Sequence, residues 1–231
     1  MTKVYSFAGV NVGITSPYGG AHRLCREYET SSEPDFSVSV NADDIEYERK
    51  MSDDPAYSDQ YLDTLTACRK TSERMPYYGA FLFHGSAIAV DGEAYIFTAP
   101  SGTGKSTHAR LWREYLGDKA FMVNDDKPFI KPGATSYVYG SPWDGKHHLS
   151  RNVSVPVKAV AVLFRAEKNT VERISHKDAL PALIRQTYRP ADSAALNLTL
   201  KLLDELDVRF YRLGCNMEPE APVISYNGMK G

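Results

Sequence analysis

Tyr95-Ile-Phe-Thr98, Ala99-Pro-Ser-Gly-Thr-Gly-Lys-Ser106 and the stretch Thr107 to Tyr115 read as one unit: an apolar strand, a glycine-rich loop and a helical pattern with Leu111, Trp112 and Tyr115 on one side. That order is the one a nucleotide phosphate cradle requires. Gly102 and Gly104 permit backbone angles and a close approach that a β-carbon would obstruct, so successive N–H groups can converge on phosphate oxygens at a helix N-terminus. Ser101, Gly102, Thr103, Gly104, Lys105, Ser106 and Thr107 are therefore the expected nucleotide-binding residues. Lys105 supplies a point charge for the outer phosphates, and the Ser106 hydroxyl is a magnesium ligand. The usual first glycine of such a loop is Ala99 here, which a turn with negative φ accommodates.

Upstream, Ala80 to Val90 and Ala94 to Thr98 are apolar runs joined by Asp91-Gly92, a strong hairpin dipeptide, so two antiparallel strands are expected to lead into the loop. Further back, Val4 to Ile14 reads as a strand pair or edge strand ending at the turn cluster 16–20, and Phe36 to Val40 alternates like a half-buried strand. Between Asp53-Asp54-Pro55 and Met75-Pro76, Tyr57, Tyr61, Leu65 and Cys68 recur at helical spacing, which predicts one helix. A soft boundary near residue 75 thus separates a β-rich N-terminal layer plus helix, 1–75, from a nucleotide-binding core, 76–231.

Downstream, Ala120-Phe-Met-Val123 is a short apolar run that delivers Asn124-Asp125-Asp126 at its end. Open sheets bind ligands beyond strand ends, and magnesium-nucleotide sites acquire their acidic ligand in this way. Neighbours on an extended chain diverge, so one carboxylate can hold the metal while the other addresses an acceptor hydroxyl. His84, in Phe81-Leu-Phe-His-Gly-Ser86, reads when taken alone as a hydrogen-bonded residue of an apolar strand.

The ordered set His84-Gly-Ser86, Ser101 to Thr107 and Val123-Asn-Asp-Asp126 resembles the nucleotide-binding core shared by HPr kinase/phosphorylase and the ATP-dependent phosphoenolpyruvate carboxykinases. The resemblance is specific over roughly 78–131 and looser over the strand Val157 to Phe164. It implies an α/β fold, a mixed-sheet P-loop core of the HPr kinase/phosphoenolpyruvate carboxykinase type carrying the β-rich N-terminal layer. By similarity, Lys105 and Ser106 bind phosphate and metal, and Asp125 is the carboxylate nearest the metal. Asp126 and His84 carry over as its supporting partners or as an acid/base pair. The further basic residues of carboxykinases find no match, and Pro100 and Thr107 stand where bifunctional HPr kinases have acidic residues. The nearest likeness is to compact HPr-kinase-related proteins of bacteria.

Gly140 to Arg151 is dense in turn formers and contains Trp143, Lys146, paired His147-His148 and Arg151. Lys146 and Arg151 are candidates to neutralise charge on a transferred phosphoryl group; the other reading is a connecting loop with Trp143 packed for structure. Beyond it come a core strand, Val157 to Phe164, two helices, His176 to Tyr188 and Ala191 to Leu206, the second with a Leu198, Leu202, Leu206 seam, and a strand Val208 to Leu213. The Pro/Glu-rich tail is expected to fray.

Composition bounds the partners. With 231 residues, 42% hydrophobic and 24% charged, the chain can bury a core without staples. Its 27 basic and 29 acidic residues, net −2, recommend neither nucleic acid nor an anionic membrane. Cys25, Cys68 and Cys215 form no C-x-x-C pair, and no leader-like or spanning apolar run appears, so a cytoplasmic setting is expected. The expected activity is a kinase using ATP and Mg2+ to transfer the γ-phosphoryl to a hydroxyl, on a small molecule or on a serine of a small protein or peptide. A regulatory nucleotide-binding protein with little turnover, and a carboxykinase-like enzyme, are the alternatives; the acceptor and the oligomeric state stay open, a homo-oligomer included.

Overall fold

The computed structural model describes residues 1–231. In chain order the strands are β1 (Thr2–Phe7), β2 (Val10–Thr15), β3 (Phe36–Ser39), β4 (Phe81–Leu82), β5 (Ser86–Val90), β6 (Glu93–Thr98), β7 (Ala120–Asn124), β8 (Phe129–Lys131), β9 (Tyr137–Tyr139), β10 (Ser154–Arg165), β11 (Thr170–Ile174) and β12 (Arg209–Cys215). The helices are α1 (Gly20–Leu24), α2 (Ala42–Met51), α3 (Asp59–Arg74), α4 (Lys105–Leu116), α5 (His176–Gln186), α6 (Ser193–Asp204) and α7 (Glu220–Met229).

The first three strands make a separate sheet, β1-β2-β3, antiparallel then parallel. The remaining nine form one mixed sheet. Its main run is β11-β12-β10-β6-β5-β7, with β10 parallel to both β6 and β12 and the hairpin β5-β6 antiparallel. The first residues of β10 pair instead with β9, which leads through β8 to β4. Strands β5 and β6 are buried almost throughout, as near-continuous apolar runs between covering layers should be. Helix α4 covers one face, where Trp112 packs on Tyr95 and Phe97 at centroid distances of 5.0 Å each.

The N-terminal sheet is sealed by aromatic packing. Phe7 is fully buried, with ring centroids 5.1 Å from Trp143, 5.5 Å from Tyr28 and 6.3 Å from Phe129. That cluster takes residues from both sides of position 75, since Ala80, Leu82, Phe129 and Trp143 belong to it with β1 and β2. No helix is long and apolar enough to cross a membrane.

Several expectations need correction. The run 80–90 is not one strand: it breaks at Phe83 to Gly85, where the His84 N–H is taken by the Gln186 carbonyl at 2.7 Å, so β4 joins β8 and only β5 continues the hairpin. Helix α3 starts after Asp53-Asp54, capped by Ser58, and turns Leu62, Thr66 and Ala67 inward while Tyr61 stays exposed. In α6 the buried seam is Ala195, Thr199 and Leu203, one position off the leucine spacing. The tail does not fray: α7 packs on α4, and Ser225 accepts hydrogen bonds from Trp112 Nε1 (2.8 Å) and lies 3.0 Å from His108 Nε2. Elements α1, α2, β8, β9 and β11 were not expected from periodicity.

Candidate active site

The glycine-rich loop turns the end of β6 into the start of α4. Gly102 and Gly104 have φ of +75° and +119°, with no atom within 4 Å of where a β-carbon would stand. The constraint is the backbone angle itself, which L side chains adopt only with strain. Ala99 has no such φ and is buried, so the departure at the loop's first position costs nothing. Gly104 caps α4 without a side-chain hydrogen bond, which leaves the first-turn amides for another acceptor.

Lys105 is only 7% exposed, and its Nζ donates to the Ala99 carbonyl at 2.9 Å and the Pro100 carbonyl at 3.5 Å. Burial pulls its pKa down, against the pull of Asp126 and Asp125. A lysine held by two carbonyls of its own loop is a charge without an ionised hydrogen-bond partner, and an anion in the cleft would supply one.

The strand β7 ends on Asn124-Asp125-Asp126. Asn124 is fully buried; its Oδ1 accepts the amides of Asp126 (2.8 Å) and Lys127 (2.7 Å), which fixes the turn that aims both carboxylates. Asp125 accepts a hydrogen bond from the buried Ser86 hydroxyl at 2.7 Å on Oδ1. Its Oδ2 lies beside Gly145, where a methyl group would come to 3.3 Å. Asp126 is bracketed by Lys127 and His84, with Lys127 Nζ 2.6 Å from Oδ2 and His84 Nε2 3.5 Å from Oδ1. Burial, and then the Lys105 charge, push the His84 pKa down, so the imidazole is held neutral although Asp126 pulls the other way. Burial is the largest influence on Lys127 and works against its charge, but the attractions of Asp126 and Cys68 together raise its pKa.

These groups meet in one cleft of about 460 Å³, lined by no hydrophobic residue. His84, Ser101, Gly102, Gly104, Lys105, Ser106, Thr107, Asp125 and Asp126 all line it, together with Gly145, Lys146 and His147 of the 140–151 loop. Two expected residues lie elsewhere. Thr103 faces a separate cavity on the outer side of the loop. Arg151 is turned away, its guanidinium 4.7 Å from the centroid of the Phe121 ring. Both readings of the 140–151 segment hold in part, since Trp143 is packed for structure, donating from Nε1 to the Thr64 carbonyl at 3.0 Å, while Lys146 reaches the cleft.

Lys127 and the role of Ser86 were missed by sequence reasoning, and His147 was named in its loop without being assigned to the site; adjacency of Lys127 to the acidic pair was the available signal, whereas Ser86 meets Asp125 only through the pairing of β5 with β7. No group of three His, Cys, Asp or Glu side chains could hold a metal unaided. The Ser106 hydroxyl and one or two carboxylates suit magnesium, which keeps waters and takes phosphate oxygens for its other positions. The arrangement can bind a polyphosphate at one end and present carboxylates to its far end.

A family model described as SynChlorMet cassette protein ScmC matches residues 51–224. No curated protein matches the chain. Among solved structures, the Hpr(Ser) kinase/phosphatase from Coxiella burnetii is similar with a TM-score of 0.38 and 13% identity, over 65% of this chain and 99% of that one.

Proposed function

The chain belongs to the family of the SynChlorMet cassette protein ScmC, and for this member we propose a magnesium- and ATP-dependent kinase that transfers the γ-phosphoryl group to a hydroxyl acceptor. The observation that carries the reading is the convergence of a buried lysine bonded only to its own loop's carbonyls, a helix N-terminus without a cap and two adjacent carboxylates on one polar cleft.

In this reading the amides at the start of α4 and Lys105 hold the β- and γ-phosphates, Lys105 exchanging its carbonyl partners for phosphate oxygens. Ser106 and the cleft-facing oxygen of Asp125 hold magnesium, with Ser86 fixing that carboxylate. When bound, the ion neutralises charge on the transferred phosphoryl group. Asp126 takes the proton leaving the acceptor hydroxyl, while neutral His84 and Lys127 keep its two oxygens in place. Lys146 on the facing loop screens the transferred group from the opposite side. The acceptor is a small alcohol or a serine on a small protein or peptide.

The test is single-turnover transfer from γ-labelled ATP with magnesium to a panel of hydroxyl compounds, serine peptides and small proteins. Labelled product that disappears in Asp125→Asn is expected. ATP binding with no transfer to any acceptor, unaltered by that substitution, would instead make the chain a nucleotide-binding regulator.

A further inference from the structure

The 140–151 loop is fixed at its stems and bare at its tip. Both stems are fastened to Asn124, whose Nδ2 donates to the Ser141 carbonyl (3.1 Å) and the Ser150 hydroxyl (3.2 Å). The same buried side chain holds the Asp126 and Lys127 amides through Oδ1, so one amide group sets the loop and the acidic pair against each other. Between the stems, Gly145 to His148 form the tip, closed by the His148 N–H donating to the Gly145 carbonyl at 3.2 Å. Gly145 rests against Asp125, and Lys146 and His147 line the cleft.

Behind the tip is open space rather than packed side chains. A second cavity of about 290 Å³ lies there, walled by Arg23 and Arg26 of the N-terminal layer and by Asp144 and His148 of the loop. What holds the tip forward is the Asp144 carboxylate. Its Oδ2 accepts the Ser150 amide (3.0 Å), and its Oδ1 accepts from His148 Nδ1 (3.1 Å), which selects the tautomer with the proton on that nitrogen. The Asp144 side chain is 5% exposed and belongs to the frame of the loop, whereas that of His148, at 78%, stands in solvent apart from this bond. His148 also has a φ of +47°, a left-handed backbone that costs a non-glycine residue free energy and must be held by its surroundings. A strained residue clasped by a buried carboxylate, closing a tip whose other end rests on Asp125, is a device for placing the residues in between.

Resting on the kinase reading above, we propose that Asp144 and His148 are positioning residues, whose clasp sets the Lys146 ammonium over the phosphoryl group while it is in transfer. The clasp works from the side of the tip away from the cleft, so it touches neither nucleotide nor acceptor. With the clasp released, Lys146 keeps its charge but spreads its long stem over the open mouth, and the placement is lost. A ground-state nucleotide, held by the loop amides and Lys105, does not register that change. The contribution is confined to the state in which charge sits on the transferred group.

The experiment is calorimetric titration of the full chain with magnesium ADP, alone and with aluminium fluoride, which together with ADP mimics a phosphoryl group in transfer. Wild type is compared with Lys146→Ala, His148→Ala, His148→Asn and the double variant Lys146→Ala/His148→Ala. Lys146→Ala is expected to weaken the fluoride complex by roughly 10²-fold and His148→Ala by roughly tenfold, each changing magnesium ADP by less than about twofold. Asparagine accepts the left-handed angle and has an amide donor for Asp144, so His148→Asn should recover most of the loss. The double variant should be no weaker than Lys146→Ala, because the clasp acts only through that lysine. A His148→Ala that weakens both ligands equally or neither, losses that multiply in the double variant, or no recovery with asparagine would each overturn the clasp while leaving the kinase reading standing. Wild type that forms no tight fluoride complex would overturn both.

Discussion

Asp63 and Asp125 are both buried carboxylates, one in the N-terminal layer and one beside the cleft, and their surroundings differ in kind. Asp63 has no exposure, and its Oδ2 accepts from the Ser16 hydroxyl (2.5 Å) and the Ala21 amide (2.8 Å), so it clamps α1 and the turn before it onto α3. Asp125 has a single donor, Ser86, and its other oxygen lies beside Gly145 at the cleft. The aromatic packing around Phe7 likewise closes the N-terminal layer, while the sheet's loops leave Lys105, Ser106 and Asp126 facing open space. In the N-terminal layer the carboxylate fastens neighbouring elements through Oδ2 and leaves Oδ1 sealed in without a partner, whereas beside the cleft the second oxygen is kept for a ligand. Stability and chemistry should therefore come apart under substitution.

The sharpest break is in stability alone. Phe7→Ala should cost about 3–5 kcal/mol of unfolding free energy, read by urea denaturation, because three aromatic neighbours cannot close on the vacancy. ATP affinity of the folded fraction should not change. The converse is Asp125→Asn, which keeps the acceptor for Ser86 and should leave the denaturation midpoint unmoved while lowering phosphoryl transfer by roughly 10²–10⁴-fold, the several kcal/mol of charge stabilisation a well-held ion would supply. A large stability loss in Asp125→Asn would blur the contrast drawn between the two carboxylates.

His108, in the contact between α4 and α7, adds a test by pH. Burial pushes its pKa from 6.5 down to about 4, so the unfolded chain binds the proton more readily than the folded one. The stability this neutral ring contributes is complete above pH 6.5 and is lost as pH falls toward 4, about 3 kcal/mol across that window. His108→Gln should flatten that stretch of the stability profile in chemical denaturation. The smallest effect expected is at Gly145, where alanine would press a methyl on Asp125 Oδ2. About 1 kcal/mol of magnesium affinity, roughly fivefold, should be lost with ATP binding in metal-free buffer unaffected.

What could be read in the sequence follows the range of the interactions. The loop 99–106, α4 and the carboxylates after β7 were legible because glycine spacing, strand length and acidic adjacency are local properties, and Ser101, Gly102, Gly104 to Thr107, Asp125 and Asp126 line one cleft while Thr103 does not. Helix α2 was missed although its signal was local too: Asn41 and Asp44 form a reciprocal capping box, but with Ile45 its only buried residue there is no apolar stripe to find. Helix α7 was read as fraying because the tail is rich in Pro and Glu; yet Pro222 falls in the first turn, where no intrahelical donor is needed, and the cover comes from α4, over a hundred residues earlier. Arg165 at the loop, Arg151 on Phe121 and the break at Gly85 depend on which strands lie side by side. No window of sequence contains that.

The double duty of β10 bears on how the protein assembles. Twelve residues long, it pairs with β9 at one end and with β6 and β12 along the rest, and its ladder with β6 is already offset between Val157 and Ala159. Because side chains alternate, a slip of one residue would turn Val160 and Leu163 to the wrong faces and carry Arg165 off Gly102. Its parallel partners lie far off in sequence, so chain closure must precede that pairing. Refolding should accordingly be slow and sensitive to substitutions in this strand, with misregistered, ligand-incompetent species as its kinetic traps.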